Sequence, residues 1–262
     1  MAERILQYID EQKKRLTIAQ INKNTEGKAE AYHNLGIAYY SLKDIHQAID
    51  YLKQFLSIAE EVGNRAGAGC AYRNLGFAYL FLGDSQRAIE YHNQDLRIAK
   101  EVGDRAGEGK ACANLGATYQ SLEEFQRAIE YHNQHLSIAK DVGDRTGEGK
   151  AYGNLGRAYH SLEEFQRAIE YHNQDLIIAK EVGDRAGEGC VYGNLGLAYR
   201  RLKEFQRAIE YHNRHLSIAK EVGNRACQGK ALAKLGFAYR SLNEFQRAVT
   251  NFLQPFPSEA ID

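Results

Sequence analysis

Residues 104–143 read DRAGEGKACANLGATYQSLEEFQRAIEYHNQHLSIAKDVG, and this 40-residue pattern repeats along the chain without an insertion or deletion. A Leu-Gly pair marks each copy: Leu35-Gly36, Leu75-Gly76, Leu115-Gly116, Leu155-Gly156, Leu195-Gly196 and Leu235-Gly236. A fixed period of roughly 20 to 50 residues indicates stacked supersecondary units, none of which can bury its apolar face alone. We therefore expect an extended binding surface rather than a closed pocket.

Each copy of the pattern predicts two helices. Gly103 suits the left-handed position that ends a helix, and Asp104 suits the N-cap of the next one. The first helix, called A, should run to about Leu122, and the second, called B, should begin near Glu124. Apolar or small residues follow helical spacing in B at Phe125, Ala128, Ile129, His132, Leu136, Ala139 and Val142. The sequence therefore predicts an all-α protein built from antiparallel helical hairpins.

These hairpins resemble the tetratricopeptide repeat (TPR), whose signature is W-x2-L-G-x2-Y, then A-x3-F, then P. Residues 72–79 match its first part as Tyr72-x2-Leu75-Gly76-x2-Tyr79, although the period is 40 and the closing Pro is missing. Residues 131–139 (YHNQHLSIA) and 143–149 (GDRTGEG) are similar to the B helix and joint of Pins/LGN-type cell-polarity scaffolds. The resemblance implies a right-handed TPR-like superhelical solenoid whose A helices line a concave, peptide-binding groove.

The repeat register also divides the chain. Residues 3–24 align with a B helix, and residues 1–26 are therefore predicted to be a half repeat that caps the array. Six TPR-like repeats follow, at 27–66, 67–106, 107–146, 147–186, 187–226 and 227–254, the last truncated, with a C-terminal tail at 255–262. About thirteen helices are expected. The alternative is that the chain is a piece of a longer array.

Composition narrows the class of protein. Lys plus Arg and Asp plus Glu both number 34, so the balanced charge argues against a nucleic-acid partner. No apolar stretch approaches the roughly 20 residues that span a bilayer, and the N-terminus lacks the apolar core of a signal peptide. The four cysteines form no CxxC motif and are interpreted as buried thiols: Cys70, Cys112, Cys190 and Cys227. We therefore expect no membrane insertion and a reduced, cytoplasmic setting.

One stripe of helix A differs between the copies. The positions equivalent to 110, 113, 117, 120 and 121 vary, whereas those of Leu115, Gly116 and Tyr119 are the same in all six. A variable stripe beside fixed positions is not expected to be the packing face. It is interpreted as the ligand-binding surface, with neutral drift on a solvated face as the alternative.

The stripe is apolar toward the N-terminus, where it includes Ile37, Tyr40 and Leu80, and basic toward the C-terminus. Asn side chains run beside it and could pair with both donor and acceptor groups of a peptide backbone. Arginines could hold carboxylates in bidentate geometry. The predicted peptide-binding residues are Asn74, Asn114, Asn154, Asn194, Lys234, Arg157, Arg200, Arg201, Arg240, Lys110, Lys150, Lys230, Phe77 and Phe81.

Other polar patterns favour packing over chemistry. The histidines that take the Phe slot of the signature recur once per repeat: His92, His132, His172 and His212. At helix-packing distances of about 10 Å they are too far apart to share one metal ion, so they are interpreted as core residues. The pairs Glu123-Glu124 and Glu163-Glu164 are interpreted as charges that complement the N-terminus of helix B. No catalytic residue, metal site or cofactor is predicted.

The sequence thus predicts a non-catalytic interaction scaffold or adaptor that binds a peptide segment, acidic in character, in the concave groove. One alternative is a self-assembling repeat module or homodimer that stacks through its incomplete ends. Phe252 and Leu253 in the truncated repeat would form such an apolar edge. A third class is an enzyme, or a regulatory module for a catalytic domain.

Overall fold

The computed structural model describes residues 2–242, and within that range all regular structure is α-helix. The helices are α1 (Ala2–Ile21), α2 (Thr25–Ser41), α3 (Ile45–Glu61), α4 (Arg65–Phe81), α5 (Ser85–Glu101), α6 (Arg105–Ser121), α7 (Phe125–Val142), α8 (Arg145–Ser161), α9 (Phe165–Glu181), α10 (Arg185–Arg201), α11 (Phe205–Glu221) and α12 (Arg225–Ser241). Even-numbered helices are the A helices and odd-numbered ones the B helices. The all-α prediction is confirmed, and the A–B pairing agrees with the predicted hairpins.

The predicted ends of the helices agree closely with the structure inside each copy. Each A helix begins two residues before the predicted repeat boundary, so that the boundaries at 27 and 67 fall in the first turns of α2 and α4. The thirteenth helix expected from Glu244, the apolar edge at Phe252 and Leu253, and the tail 255–262 lie outside the described residues.

The joint between one repeat and the next is built as the sequence predicts. Gly103 has a φ of +70°, a left-handed conformation that glycine adopts without steric cost. The Asp104 carboxylate accepts a hydrogen bond from the backbone N–H of Gly107 at 2.8 Å, which satisfies one of the free donors at the start of α6. The predicted roles of Gly103 in ending one helix and of Asp104 in capping the next are therefore confirmed.

The turn inside each hairpin departs from the prediction. It too requires a left-handed residue, which is Gly83 in one repeat but Glu163 (φ +61°) in another. Glu164 then takes the N-cap position of α9 without making a side-chain capping hydrogen bond. The Glu-Glu pair does not simply complement a helix end, because its first member occupies a strained turn conformation.

The chain forms two compact units, Met1–Gln134 and His135–Asp262. In the first unit each helix from α1 to α6 packs on the next along the chain, and in the second the same holds from α8 to α12. Leu52, Leu75 and Tyr79 belong to one core cluster of the first unit, and Val191 and Leu195 to one of the second. Burial of these side chains, about 1.5–3 kcal/mol each when complete, holds successive helices together.

The repeated histidines lie in these cores. His92 and His212 are fully buried and His172 is 1% exposed. Each ring packs on a backbone glycine of the preceding A helix: a Cβ added to Gly156 would lie 2.5 Å from Cε1 of His172. Burial lowers the pKa of His172 to about 4, so the ring is neutral at physiological pH. The interpretation of these histidines as core residues is confirmed.

None of the described helices combines the length and the apolar character that a membrane crossing requires.

Candidate peptide-binding surface

The apolar end of the stripe is at the surface of the first unit. Phe81 is 53% exposed and meets Tyr40 edge-on, with 6.1 Å between the ring centroids. Phe77 is half-buried because its ring packs edge-on against His92 at 5.3 Å. These side chains, with the exposed Ile37, offer apolar area to a ligand.

An open cavity of about 710 Å³ adjoins this apolar surface. It lies between α1 and α2 and is lined by Ile5, Tyr8, His33 and Ile37 among others. The predicted site did not include α1, because residues 1–26 were interpreted only as a cap. Residues of α1 therefore line this cavity together with those of α2.

The Asn positions are half-buried, and the structure already uses some of their hydrogen-bonding groups. Asn74 donates to the Sγ of Cys70 at 3.6 Å, whereas Asn154 accepts from the Arg157 guanidinium. Asn114 and Asn194 make no side-chain hydrogen bond to any residue between 2 and 242 that the structure records. The row of amides can thus present donors and acceptors, but in a different combination at each repeat.

The basic end of the stripe belongs to the second unit. Arg157 and Arg240 are exposed, and Arg240 lies over the ring of Phe237 with 5.5 Å to its centroid. Arg200 is half-buried, and neither it nor Arg157 forms an ion pair with a described residue. Lys150 and Lys230 are exposed on the same A helices, as Lys110 is in the first unit.

Two of the predicted cationic residues already pair with a carboxylate or a backbone carbonyl of the fold. Arg201 forms an ion pair with Glu163 and stacks over Phe165 at 5.2 Å. Lys234 is half-buried and donates to the backbone carbonyl of Gly193 at 3.5 Å. A ligand carboxylate would have to compete with these contacts, whereas the partner of Arg157 is the neutral Asn154 amide.

The charges on α8, α10 and α12 act on their neighbours. Burial lowers the pKa of His160, and the charges of Arg201 and Arg200 lower it further. Burial also lowers the pKa of Lys234, with Lys230 and Arg200 adding to the shift in the same direction. Cations close enough to depress each other's protonation create a positive potential that would attract an anion.

The sequence prediction missed one position on the B helices, at which Asp95 and Asp175 contact the preceding A helix. It is occupied by Phe55, Asp95, His135, Asp175 and His215 in successive repeats. Asp95 forms a two-pronged ion pair with Arg73 of the preceding A helix. The signal was visible in the sequence, because this position changes in class while the preceding Tyr-His-Asn is almost constant.

The cysteines divide by position. Cys112 is fully buried, and burial raises the pKa of its thiol to about 11. Cys190, however, is exposed, so its interpretation as a buried thiol is wrong. It stands at the edge of the stripe, where the sister repeats carry Lys110, Lys150 and Lys230. Within residues 2–242 no cluster of three or more His, Cys, Asp or Glu side chains has the arrangement of a metal site.

Comparison with protein families decides the classification. The tetratricopeptide repeat model matches residues 16–101, 109–181 and 187–254. The chain belongs to the tetratricopeptide repeat family. Proteins of this family generally mediate protein–protein interactions, and no catalytic family is indicated.

Solved structures with the same fold have low sequence identity. BtubC from P. vanneervenii is 21% identical with a TM-score of 0.72, and the match covers 85% of this chain and 91% of that one. A signal transduction ATPase with a tetratricopeptide repeat sensor, from Pyrococcus horikoshii, is 18% identical with a TM-score of 0.75. That match covers 95% of this chain but 42% of the ATPase.

Aspartyl phosphate phosphatase F from Bacillus subtilis is 16% identical with a TM-score of 0.71, and the match covers 91% of this chain and 72% of that one. At such identities the similarity shows the fold alone. A search of curated proteins gives no match.

Proposed function

We propose that this tetratricopeptide repeat protein is a non-catalytic adaptor whose second unit binds an acidic peptide segment along the A helices α8, α10 and α12. The observation that carries the proposal is the contrast between two sets of cations in that unit. Arg145 and Arg185 at the joints bind Glu181 and Glu221, and each also binds a Glu of its own helix. These cations are neutralised by the fold itself.

The cations of the stripe are different. Arg157, Arg200, Arg240 and Lys150 form no ion pair with a described residue, although carboxylates are as numerous as cations in the chain. A guanidinium that has no carboxylate partner in the fold can bind a ligand carboxylate in bidentate geometry. The Asn side chains beside them would bind the peptide backbone, as the resemblance to Pins/LGN-type scaffolds implies.

The test compares two variants of equal charge. The first carries Arg157→Glu, Arg200→Glu and Arg240→Glu on the stripe. The second carries Arg167→Glu, Arg207→Glu and Arg214→Glu on the B helices. Binding is measured by fluorescence anisotropy with 15-residue peptides rich in Glu and Asp, and their Gln and Asn counterparts serve as neutral controls.

We expect the stripe variant to lose more than about a hundredfold in affinity, because each charged hydrogen bond contributes about 1.5–3 kcal/mol. The B-helix variant should lose much less, since long-range attraction is screened by salt beyond about 8 Å. Equal losses in both variants, or equal binding of acidic and neutral peptides, would contradict the proposal. Sedimentation of the free protein separates this function from self-assembly.

A further inference from the structure

In the first unit a carboxylate of a B helix forms a bidentate ion pair with an arginine of the preceding A helix. Nε of Arg73 lies 2.9 Å from Oδ2 of Asp95, and Nη2 of Arg73 lies 3.0 Å from Oδ1. The Asp95 side chain is 1% exposed. The guanidinium supplies the positive charge and the hydrogen bonds that a buried carboxylate requires. The planar fork of Arg suits this bidentate geometry, which the single ammonium of Lys cannot reproduce.

Two repeats further along, the carboxylate remains but its partner is missing. Asp175 is equivalent to Asp95, and Gly153 stands where Arg73 would be. The carboxylate lies over this glycine: a Cβ added to Gly153 would be 2.7 Å from Oδ2 of Asp175. Asp175 has no hydrogen bond or ion pair with any other described residue, and burial raises its pKa to about 7. The repeat therefore holds a half-buried acid without a cation.

The space left by the missing side chain is open. A cavity of about 250 Å³ is lined by Gly153, Asp175, Asn154, Asn194 and Asp184, among others. The next repeat shows how such a space can be closed, because there the Lys234 ammonium reaches back beside Gly193 and donates to its carbonyl. The residue equivalent to Lys234 at the open cavity is the shorter Asn194.

The cavity is lined by charges of both signs, the carboxyl groups of Asp175 and Asp184 and the cations of Lys150 and Arg157. Asp184, the N-cap of α10, lines it and raises the pKa of Asp175 further. The positive charge of Arg157 acts in the opposite direction and lowers the pKa of Asp175. Its guanidinium donates a hydrogen bond to the Asn154 side chain and forms no hydrogen bond or ion pair with Asp175.

We propose that the cavity beside Gly153 binds an arginine side chain of a protein ligand, whose guanidinium takes the place at Asp175 that Arg73 takes at Asp95. The ligand would then combine acidic residues for the stripe with one arginine for this cavity. In that sense the inference rests on the proposed function. The cavity is nevertheless tested separately, with a probe that carries no acidic group.

The probe is N-acetyl-arginine amide, with N-acetyl-lysine amide and N-acetyl-citrulline amide as controls of similar shape. Binding to the full chain is followed by NMR at the Asp175 carboxyl carbon and the Gly153 amide. We expect saturable shifts with the arginine probe and a fall in the pKa of Asp175. Lysine should bind less tightly, and citrulline at least about tenfold less tightly, because its urea group carries no positive charge to pair with the carboxylate.

Three variants make the result specific. Gly153→Arg should fill the cavity with its own guanidinium, and Asp175→Asn should remove the acceptor, so that both abolish the shifts. Arg73→Gly, made in the Asp175→Asn background so that the first site is absent, should open a site at Asp95, where the arginine probe would then bind and raise the melting temperature. This gain of a site cannot result from misfolding.

Binding of citrulline as tight as that of arginine, or unchanged arginine binding by Gly153→Arg, would overturn the inference. If the arginine probe fails while acidic peptides still bind wild-type protein, the cavity assignment is wrong and the proposed function stands. If acidic peptides fail to bind while the arginine probe binds, the proposed function is wrong and the cavity assignment stands.

Discussion

At the scale of single residues, the packing of a histidine on a glycine is the most demanding contact in the repeat. The ring of His172 lies so close to Gly156 that no side chain fits between them. The sequence shows a glycine at this position in every repeat, but not that an imidazole packs on it. Periodicity places residues on a face, whereas the choice of neighbour depends on the packing of two helices.

This contact predicts that Gly156→Ala is destabilising, although Ala is the better helix former by about 1 kcal/mol. The new Cβ would lie 2.5 Å from a buried ring, and overpacking of this kind costs about 1–3 kcal/mol. We expect a lower urea midpoint. In Gly69→Ala, the matched control, the nearest atom is Ile98 Cγ2 at 3.3 Å, and the loss should be much smaller. Equal losses in the two variants would contradict the role of His172.

The same histidine predicts a pH dependence. The pKa of His172 is about 4 in the folded state and about 6.5 when unfolded, so between these values the unfolded state binds more protons. The free energy of unfolding therefore has its full value above about pH 6.5 with respect to His172. It falls as the pH drops toward 4, by up to about 3 kcal/mol. His172→Phe should flatten this slope in thermal melts.

Asp175 contributes with the opposite sign, because its raised pKa makes the folded state bind more protons below pH 7. The comparison is therefore made in an Asp175→Asn background. If the slope of stability against pH is unchanged by His172→Phe in that background, His172 is not held neutral by burial.

At the scale of helices, the ends are better specified in some repeats than in others. Asp84 caps α5 by accepting from the Arg87 backbone N–H at 3.0 Å. Glu204, at the equivalent position of α11, forms an ion pair with Arg207 but makes no capping hydrogen bond. Its side chain is one methylene longer than that of Asp84. Such a difference is not visible in the repeat pattern, where both residues are simply acidic.

We predict that Glu204→Asp stabilises the protein by about 1 kcal/mol, because the shorter carboxylate can accept from the backbone as Asp84 does. Asp184→Ala, which removes a cap that accepts from Gly187 at 2.8 Å, should cost a similar amount. Chemical denaturation measures both changes. An unaltered midpoint for Glu204→Asp, with the expected loss for Asp184→Ala, would show that the α11 turn cannot adopt the capped geometry.

The turns inside the hairpins show why the sequence leaves some local structure undetermined. The joints between complete repeats carry Gly103 or an equivalent glycine, so the residue type itself predicts the left-handed conformation. Lys203 and Glu163 adopt the same conformation without glycine, which costs about 1–2 kcal/mol per residue. Packing of the flanking helices overrides the local preference at these positions.

At the scale of the whole molecule, the repeat pattern predicts that each helix packs on its sequence neighbours, and this holds from α1 to α6 and from α8 to α12. The division at Gln134 could not be predicted, because residues 125–142 follow the same pattern as every other B helix. The candidate site was predicted in part. Variation among repeats pointed to the A-helix stripe, but Asp175 required knowledge of which side chain faces which.

Packing between neighbouring helices leads us to predict how far the effect of a local substitution extends along the chain. In repeat proteins stability is approximately a sum of repeat and interface terms, so a local defect should loosen its own hairpin first. Amide exchange measured by mass spectrometry on Gly156→Ala should rise most in α8 and α9, which pack on each other and carry the altered contact. Peptides from α2 and α3, in the first unit, should keep wild-type rates under conditions where opening is local. A uniform increase from α1 to α12 would instead mean that the protein opens as one cooperative body, and the description as two units would then not extend to its stability.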